Sequence, residues 1–395
     1  MAPENVIAVF ILVFPALIVM SNGAQENLSG EQDLELERQL KMLNKPAVKT
    51  IKVIEVLHER TEFGDIFDCV DINKQPAFDN PLLKNHKLQM SPSFFPNTAK
   101  QEAPSMAEVM GLPDGGCPQG FVPIRRTRKE ELINARMSFN LSNPAMPTTK
   151  HNPRSHSTGL QWQGNEKVYG TKFTANVWGL QLDKGEISAS STWVQNECDY
   201  VNAGWLVHPA IFGDSQTRIF THWTTDCYAT TGCFNTLCPG FVQIDTQVPL
   251  GTVIKPLSEY KGPQFQIRVD VFKDLSSDGN WWLVINGDKS VGYWPAELFS
   301  GLADHAKNMH WGGFVNGLPY LPSPPMGSGY DADGGYGRAC FTKDIQLMDN
   351  FRAFYDPQKE DVYFVAGHPC YPWKGRCDDD GQGCFLYFGG HGCRY

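Results

Sequence analysis

The spacing of apolar positions changes partway along the chain. Between residues 31 and 45, Leu36, Leu40 and Leu43 recur at i, i+4 and i+7 among charges, which predicts a short amphipathic helix ended by Pro46. Residues 51–57 (IKVIEVL) then alternate as a strand does. Thr127 and Glu130 have the spacing of a capping box for a helix over 128–137. Beyond residue 157 alternation takes over. The runs 173–178, 187–194, 204–208, 218–223, 265–272, 281–285 and 291–294 place β-branched and aromatic residues between Gly and Asp turns. This pattern predicts an all-β unit, an antiparallel sandwich or barrel, preceded by a smaller α+β unit. One helix, over 296–306, is expected in the second half.

Residues 6–20 (VIAVFILVFPALIVM) are a run of fifteen apolar residues followed by the small residues Ser21, Gly23 and Ala24, the pattern of a signal peptide over 1–23. The run is shorter than the roughly 18–20 residues that span a bilayer, and no later segment is apolar enough, so no membrane association is expected once it is removed. Residues 138–157 (SFNLSNPAMPTTKHNPRSHS) are rich in Pro, Asn, Ser and Thr without apolar periodicity and read as a linker between a unit over 24–137 and another over 158–395. Eleven cysteines behind a secretory start point to disulfides, with one thiol left over. Asn27 and Asn140 open glycosylation sequons. A net charge of −9 and the absence of a basic stripe argue against a nucleic-acid partner. The one basic cluster, Arg125 to Lys129, precedes an acidic pair and reads as a helix start.

Cys69 and Cys117 are the only cysteines before residue 198 and pair if the first unit folds alone. Cys233 and Cys238 bracket four residues, a spacing that can close a tight loop. Cys370, Cys377, Cys384 and Cys393 lie close together with His368 and His391. Four soft ligands of this kind suit zinc in a reducing compartment, whereas an oxidising one favours bridges; no metal or other cofactor is expected.

The stretch from Asn202 to Gln243, NAGWLVHPAIFGDSQTRIFTHWTTDCYATTGCFNTLCPGFVQ, closely resembles the signature of the neprosin family, and 64–89 (GDIFDCVDINKQPAFDNPLLKNHKLQ) resembles its activation peptide. The family comprises plant secreted proteins resembling glutamic peptidases that cleave after proline. The resemblance implies a sandwich of two antiparallel sheets with a cleft across one face, a propeptide over 24–137 as the chain's own partner, processing in the 138–157 linker, and secretion to the extracellular space, wall or vacuole. It also implies the bridges Cys233–Cys238 and Cys370–Cys393, with Cys377–Cys384 nested inside. Cys198 and Cys227 depart from the family's usual residues and suit an added bridge, which leaves Cys340 as the odd thiol.

A glutamic peptidase needs two carboxylates with separated pKa values facing one water. The family sets one glutamate before an Ala-Gly-Trp-like triplet and the other after a Trp-Gly-Gly-like triplet. Here the triplets stand as Ala203-Gly204-Trp205 and Trp311-Gly312-Gly313, but the dyad positions hold Asn202 and Phe314. Neither takes a proton near neutral pH, so the resemblance implies a peptidase frame without its acid–base pair: a non-catalytic homologue binding proline-rich peptides or cell-wall glycoproteins. The alternative is an acid endopeptidase using substitute carboxylates, with Glu197, Asp199, Glu297, Asp214 and Asp226 as the acids to consider. No Gly-x-Ser-x-Gly elbow occurs, and His208, His222 and His310 have no nucleophile partner evident in the sequence. Trp205, Trp223, Tyr228 and Trp311 cluster around the dyad positions and are the expected groove lining, with core packing as their other role.

Overall fold

Leucine spacing sets the first element: α1 (Gly30–Leu43) buries Leu36 and Leu43 on one stripe. The computed structural model describes residues 30–53, 64–96, 106–109, 111–141, 155–275, 279–318, 321–366, 368–378 and 383–393, with main chain only at 136–141, 366 and 378. The expected signal segment, Asn27, most of the linker and the side chain of Asn140 lie outside the described residues.

After α1 come β1 (Ala47–Val53), β2 (Asp65–Asp71), β3 (Glu108–Val109), β4 (Phe121–Arg125) and α2 (Lys129–Leu141). Strands β1, β2 and β4 form a small antiparallel sheet in that order, stapled by Cys69–Cys117. The cap of α2 is shifted by one residue from the expected box. Asn44 occupies both backbone groups of Thr127, so Arg128 takes the capping position and Glu131, not Glu130, reaches back to its N–H. Each of the clustered cations Arg125, Arg126, Arg128 and Lys129 faces an acid of this unit, so they form no free basic patch.

The second unit contains β5 (His156–Trp162), β6 (Gly170–Asn176), β7 (Ile187–Asn196), β8 (Asp199–Val207), α3 (Pro209–Phe212), β9 (Arg218–Thr224), β10 (Cys233–Phe234), β11 (Val242–Gln243), β12 (Ile254–Lys255) and β13 (Gln266–Lys273). It continues through β14 (Trp281–Ile285), β15 (Lys289–Trp294), β16 (Asn308–Asn316), β17 (Cys340–Met348), β18 (Phe354–Tyr355), β19 (Val362–Ala366), β20 (Trp373–Asp378) and β21 (Gly383–Phe388). The strands form an antiparallel sandwich. A seven-stranded sheet has the order β10-β9-β8-β7-β16-β5-β19; a nine-stranded one runs β11-β15-β14-β13-β6-β17-β21-β20, with β18 beside β17. Alternate residues of both sheets meet in one core, to which β8 contributes Val201, Ala203, Trp205 and Val207 and β16 contributes Met309, Trp311 and Val315.

The helix expected over 296–306 is absent; one 3-10 turn, Ala296–Leu298, is all that forms. The cause is Asp199, whose Oδ2 accepts from the backbone N–H groups of Ser300, Gly301 and Leu302 at 2.8, 2.6 and 3.0 Å. Those donors are unavailable to a helical ladder. The bridges Cys198–Cys227, Cys233–Cys238, Cys370–Cys393 and Cys377–Cys384 are formed, and Cys340 is a buried free thiol. No helix among the described residues is long and apolar enough to cross a membrane.

The first unit lies against the second along its length. Strand β3 pairs with β12, and Val70, Ile72, Ala77, Val122 and Ile124 join Phe272, Trp282, Val284 and Tyr293 in a cluster on the outer face of the nine-stranded sheet. At the opposite sheet, Asn134 of α2 donates to the Ala210 carbonyl of α3.

Candidate functional site

The family frame converges on the outer face of the seven-stranded sheet. Asn202 on β8 lies opposite Trp193 on β7, and Phe314 on β16 lies opposite Ala189 of the same central strand. Both are on the side of the sheet that carries Ala189, Ser191 and Trp193. The triplets around them are explained by close approach. A Cβ at Gly204 would come within 2.6 Å of the Ser191 Cα, and one at Gly313 within 2.5 Å of the Phe388 ring; Gly312 also has a φ of 149°, which disfavours any side chain.

Around Asn202 and Phe314 the hollow is nearly filled. Leu206, Phe220, Phe234 and Ala189 close in, His222 lies opposite Asn202, and the remaining space is about 20 Å³, room for about one water. The Phe314 and Trp193 rings pack in a T shape with centroids 6.1 Å apart. No carboxylate of the described residues lines this hollow. Asn202 Oδ1 is buried with no hydrogen-bond partner among the described residues. The His222 imidazole is stacked between Phe234 (4.2 Å) and Tyr228 (4.9 Å), and burial, helped by the nearby His208, lowers its pKa to about 3. Burial alone does the same to His208, also to about 3, and burial, helped by the nearby Tyr200, pushes the Tyr228 hydroxyl up. Neutral rings and an amide are therefore what this end of the sheet presents.

Farther along the same strands the surface opens into a second hollow of about 220 Å³. Trp193 stands between the two, flanked by Gln195, Tyr200, Gln161, Ser157, Asn308 and His310; among the described residues this lining has no Asp, Glu, Lys or Arg, and burial lowers the His310 pKa to about 4, so that ring is neutral. Gln195 donates to the Tyr200 hydroxyl at 2.7 Å, which fixes both side chains.

Three of the four aromatic residues expected to line the groove do not. Trp205 and Trp311 are fully buried between the sheets, where Trp205 Nε1 donates to the Asn176 carbonyl and Trp311 Nε1 to Thr171 Oγ1, each at 2.9 Å. Trp223 packs in the same core against the edge of Phe299. The correction follows from strand periodicity. Trp205 and Trp311 are each three residues from a dyad position, and an odd separation puts them on the opposite face. Tyr228 is on the outer side, against His222 and Tyr200. The residues that do line the face, Trp193, Tyr200, Gln161 and His310, were not selected from the sequence; Trp193 was readable from its even spacing to Ala189 and Ser191.

The acids considered as substitutes lie elsewhere. Glu197 is an exposed turn residue 3.6 Å from Lys307, and Glu297 is hydrogen-bonded to His86 of the first unit. Asp199 is enclosed by the 300–302 backbone; burial raises its pKa, against the hydrogen bonds it accepts. Asp214 pairs with Arg218, and Asp226 organises the 224–231 turn by accepting from Thr230 and Thr231.

A family profile described as Neprosin matches residues 184–391, and one described as Neprosin activation peptide matches 59–169. Among solved structures, the chain is similar to Scytalido-glutamic peptidase with a peptide-based transition-state analogue (10% identity, TM-score 0.33, 60% of this chain and 98% of that one). It is likewise similar to SCP-B, a member of the Eqolisin family of peptidases, in a complex with the tripeptide Ala-Ile-His (9% identity, TM-score 0.31, 60% and 98%). With profiles of activation peptide and main domain matched in that order, the latter over more than half its length, the chain belongs to the neprosin family and is a peptidase-like protein.

Proposed function

We propose that this neprosin-family protein does not hydrolyse peptides and that the outer face of its seven-stranded sheet serves for binding proline-rich peptides or cell-wall glycoproteins after secretion. The observation that supports this most is the shared hollow of Asn202 and Phe314, about 20 Å³ in size and without a carboxylate. Hydrolysis by a glutamic pair needs one group to take a proton from water and another to give one to the leaving amine. Asn202 does neither, Phe314 is a hydrocarbon, and the neighbouring His222 is held neutral in a stack with both faces covered. The alternative acids are engaged in turns, loops or the contact with the first unit. The first unit is the chain's own activation-peptide partner, and we assign its processing to residues 138–157.

The test is an incubation of the purified, acid-treated protein with a proline-containing peptide across pH 2–7. No cleavage after proline is expected from the native chain. Asn202→Glu combined with Phe314→Glu, which replaces the bulky ring and restores both acids, is expected to raise cleavage by about 10²-fold or more over the native background, the scale of general acid–base help. Turnover by the native chain that disappears with Glu197→Gln, Asp199→Asn or Glu297→Gln would establish the substitute-acid enzyme instead.

A further inference from the structure

We propose that the open hollow beside Trp193 is a binding site for a neutral sugar unit, so that the glycan rather than the peptide part of a wall glycoprotein is what this face recognises; the inference rests on the binding reading above. Three observations lead to it. Trp193 is only partly buried and stands at the edge of a hollow of about 220 Å³, enough for about one pyranose ring. The apolar C–H face of a pyranose packs on an indole in the same way other flat apolar groups do.

The polar atoms around that ring have the second property required. Gln161 and Asn308 carry amides, which offer donor and acceptor together; Gln195, whose nitrogen donates to the Glu197 carbonyl and the Tyr200 hydroxyl, offers its oxygen; and Ser157 and Tyr200 carry hydroxyls. Vicinal sugar hydroxyls are also donor and acceptor together, so amides pair with them in both directions. Two lining residues, Asn308 and His310, each carry a buried polar atom, Oδ1 and Nε2, with no hydrogen-bond partner among the described residues. Buried polar atoms ordinarily have one, so the wall of the hollow holds unmet hydrogen-bonding capacity that a small turn of either side chain would bring to a ligand hydroxyl.

The third observation is the missing charge. Among the described residues, no Asp, Glu, Lys or Arg lines the hollow. A uronate, sulfate or phosphate would give up hydration there without gaining a counter-charge, which disfavours anionic glycans. A proline-rich peptide would use the Trp193 ring and offer carbonyl acceptors, but, having no N–H at proline, it would leave the acceptor oxygens of the lining amides unmatched.

The experiment uses the full chain and tetraoses of β-1,4-glucose, β-1,4-galactose, β-1,4-xylose, β-1,4-mannose and α-1,5-arabinose, with tetragalacturonate and hexaproline alongside, followed by calorimetry and Trp fluorescence. At least one neutral tetraose is expected to bind at about millimolar Kd or tighter. Tetragalacturonate should bind at least tenfold more weakly, and Trp193→Ala should reduce neutral-sugar binding at least tenfold. Gln161→Ala, at a partly exposed position, should reduce it severalfold with the melting temperature unchanged, which separates loss of binding from loss of fold. Retention of none of the five neutral sugars overturns the proposal, as does binding that survives Trp193→Ala and Gln161→Ala or that favours tetragalacturonate. Hexaproline held through Trp193 in place of sugar would also overturn it while leaving the binding reading intact; cleavage of a proline peptide would instead overturn that reading.

Discussion

At the scale of single residues, parity along a strand decides what each aromatic does. Trp205, fully buried and hydrogen-bonded to Asn176, is a core residue, so Trp205→Ala should cost about 3–5 kcal/mol in urea unfolding. Trp193→Ala, on the outer face, should cost far less. Equal losses would contradict the assignment of opposite faces. The buried histidines give a second expectation. His208 and His222 are neutral in the fold, with pKa values lowered to about 3, whereas the unfolded chain protonates them near 6.5. The unfolded state therefore binds more protons between about 3 and 6.5, and stability should be full above that window and fall as pH drops through it. His208→Phe, which keeps a ring beside Phe234, should flatten the acid limb of a plot of melting temperature against pH. Parallel curves for mutant and native protein would remove His208 from the account.

At the scale of elements, the sequence made most strands legible because alternation survives in a two-layer sandwich, and α1 because its leucines keep helical spacing. Residues 281–285 were readable as a strand to the residue, and β8 was seen only in its second half because Asp199-Tyr200-Val201-Asn202 mixes polar and apolar side chains that are all buried on both faces. That Asn202 and Phe314 share one hollow follows the placing of their flanking triplets, whose glycines answer to backbone approach. The Trp faces and the open hollow were not legible, because they depend on register between β7, β8 and β16 rather than on any local pattern. The missing helix over 296–306 shows the same limit: local propensity lost to Asp199, a partner about a hundred residues away in sequence. Asp199→Ala leaves the N–H groups of Ser300, Gly301 and Leu302 without that acceptor, and since an unsatisfied buried donor costs about 1–3 kcal/mol, destabilisation of at least that size is expected in chemical denaturation. An unchanged midpoint would mean water replaces the carboxylate without penalty.

At the scale of the whole molecule, the first unit behaves as a third layer. It covers Trp282, Tyr293 and Phe272 on the nine-stranded sheet, adds β3 to β12, and reaches the seven-stranded sheet through Asn134 and Asp65. Asp65 sits between Arg125 of its own unit and Arg218 of the other, at 2.9 and 2.5 Å. Burial works to raise its pKa, but the two guanidinium groups, Arg218 foremost, hold the carboxyl below its ordinary value. A depressed carboxylate contributes above the ordinary aspartate range and ceases to as pH falls through its folded pKa, so this link should persist at pH 5 and be lost only below about 4. Apolar cover would still remain, because baring a Trp, a Tyr and a Phe on one sheet costs several kcal/mol at roughly 25 cal/mol per Å². A cut engineered between residues 142 and 154 should therefore leave the two pieces together on a sizing column at neutral pH. Separation should require acid, and Asp65→Asn should move it to higher pH. Pieces that part at pH 7 would show that the apolar cover and the Asp65 link hold the units together only while the chain joining them is intact.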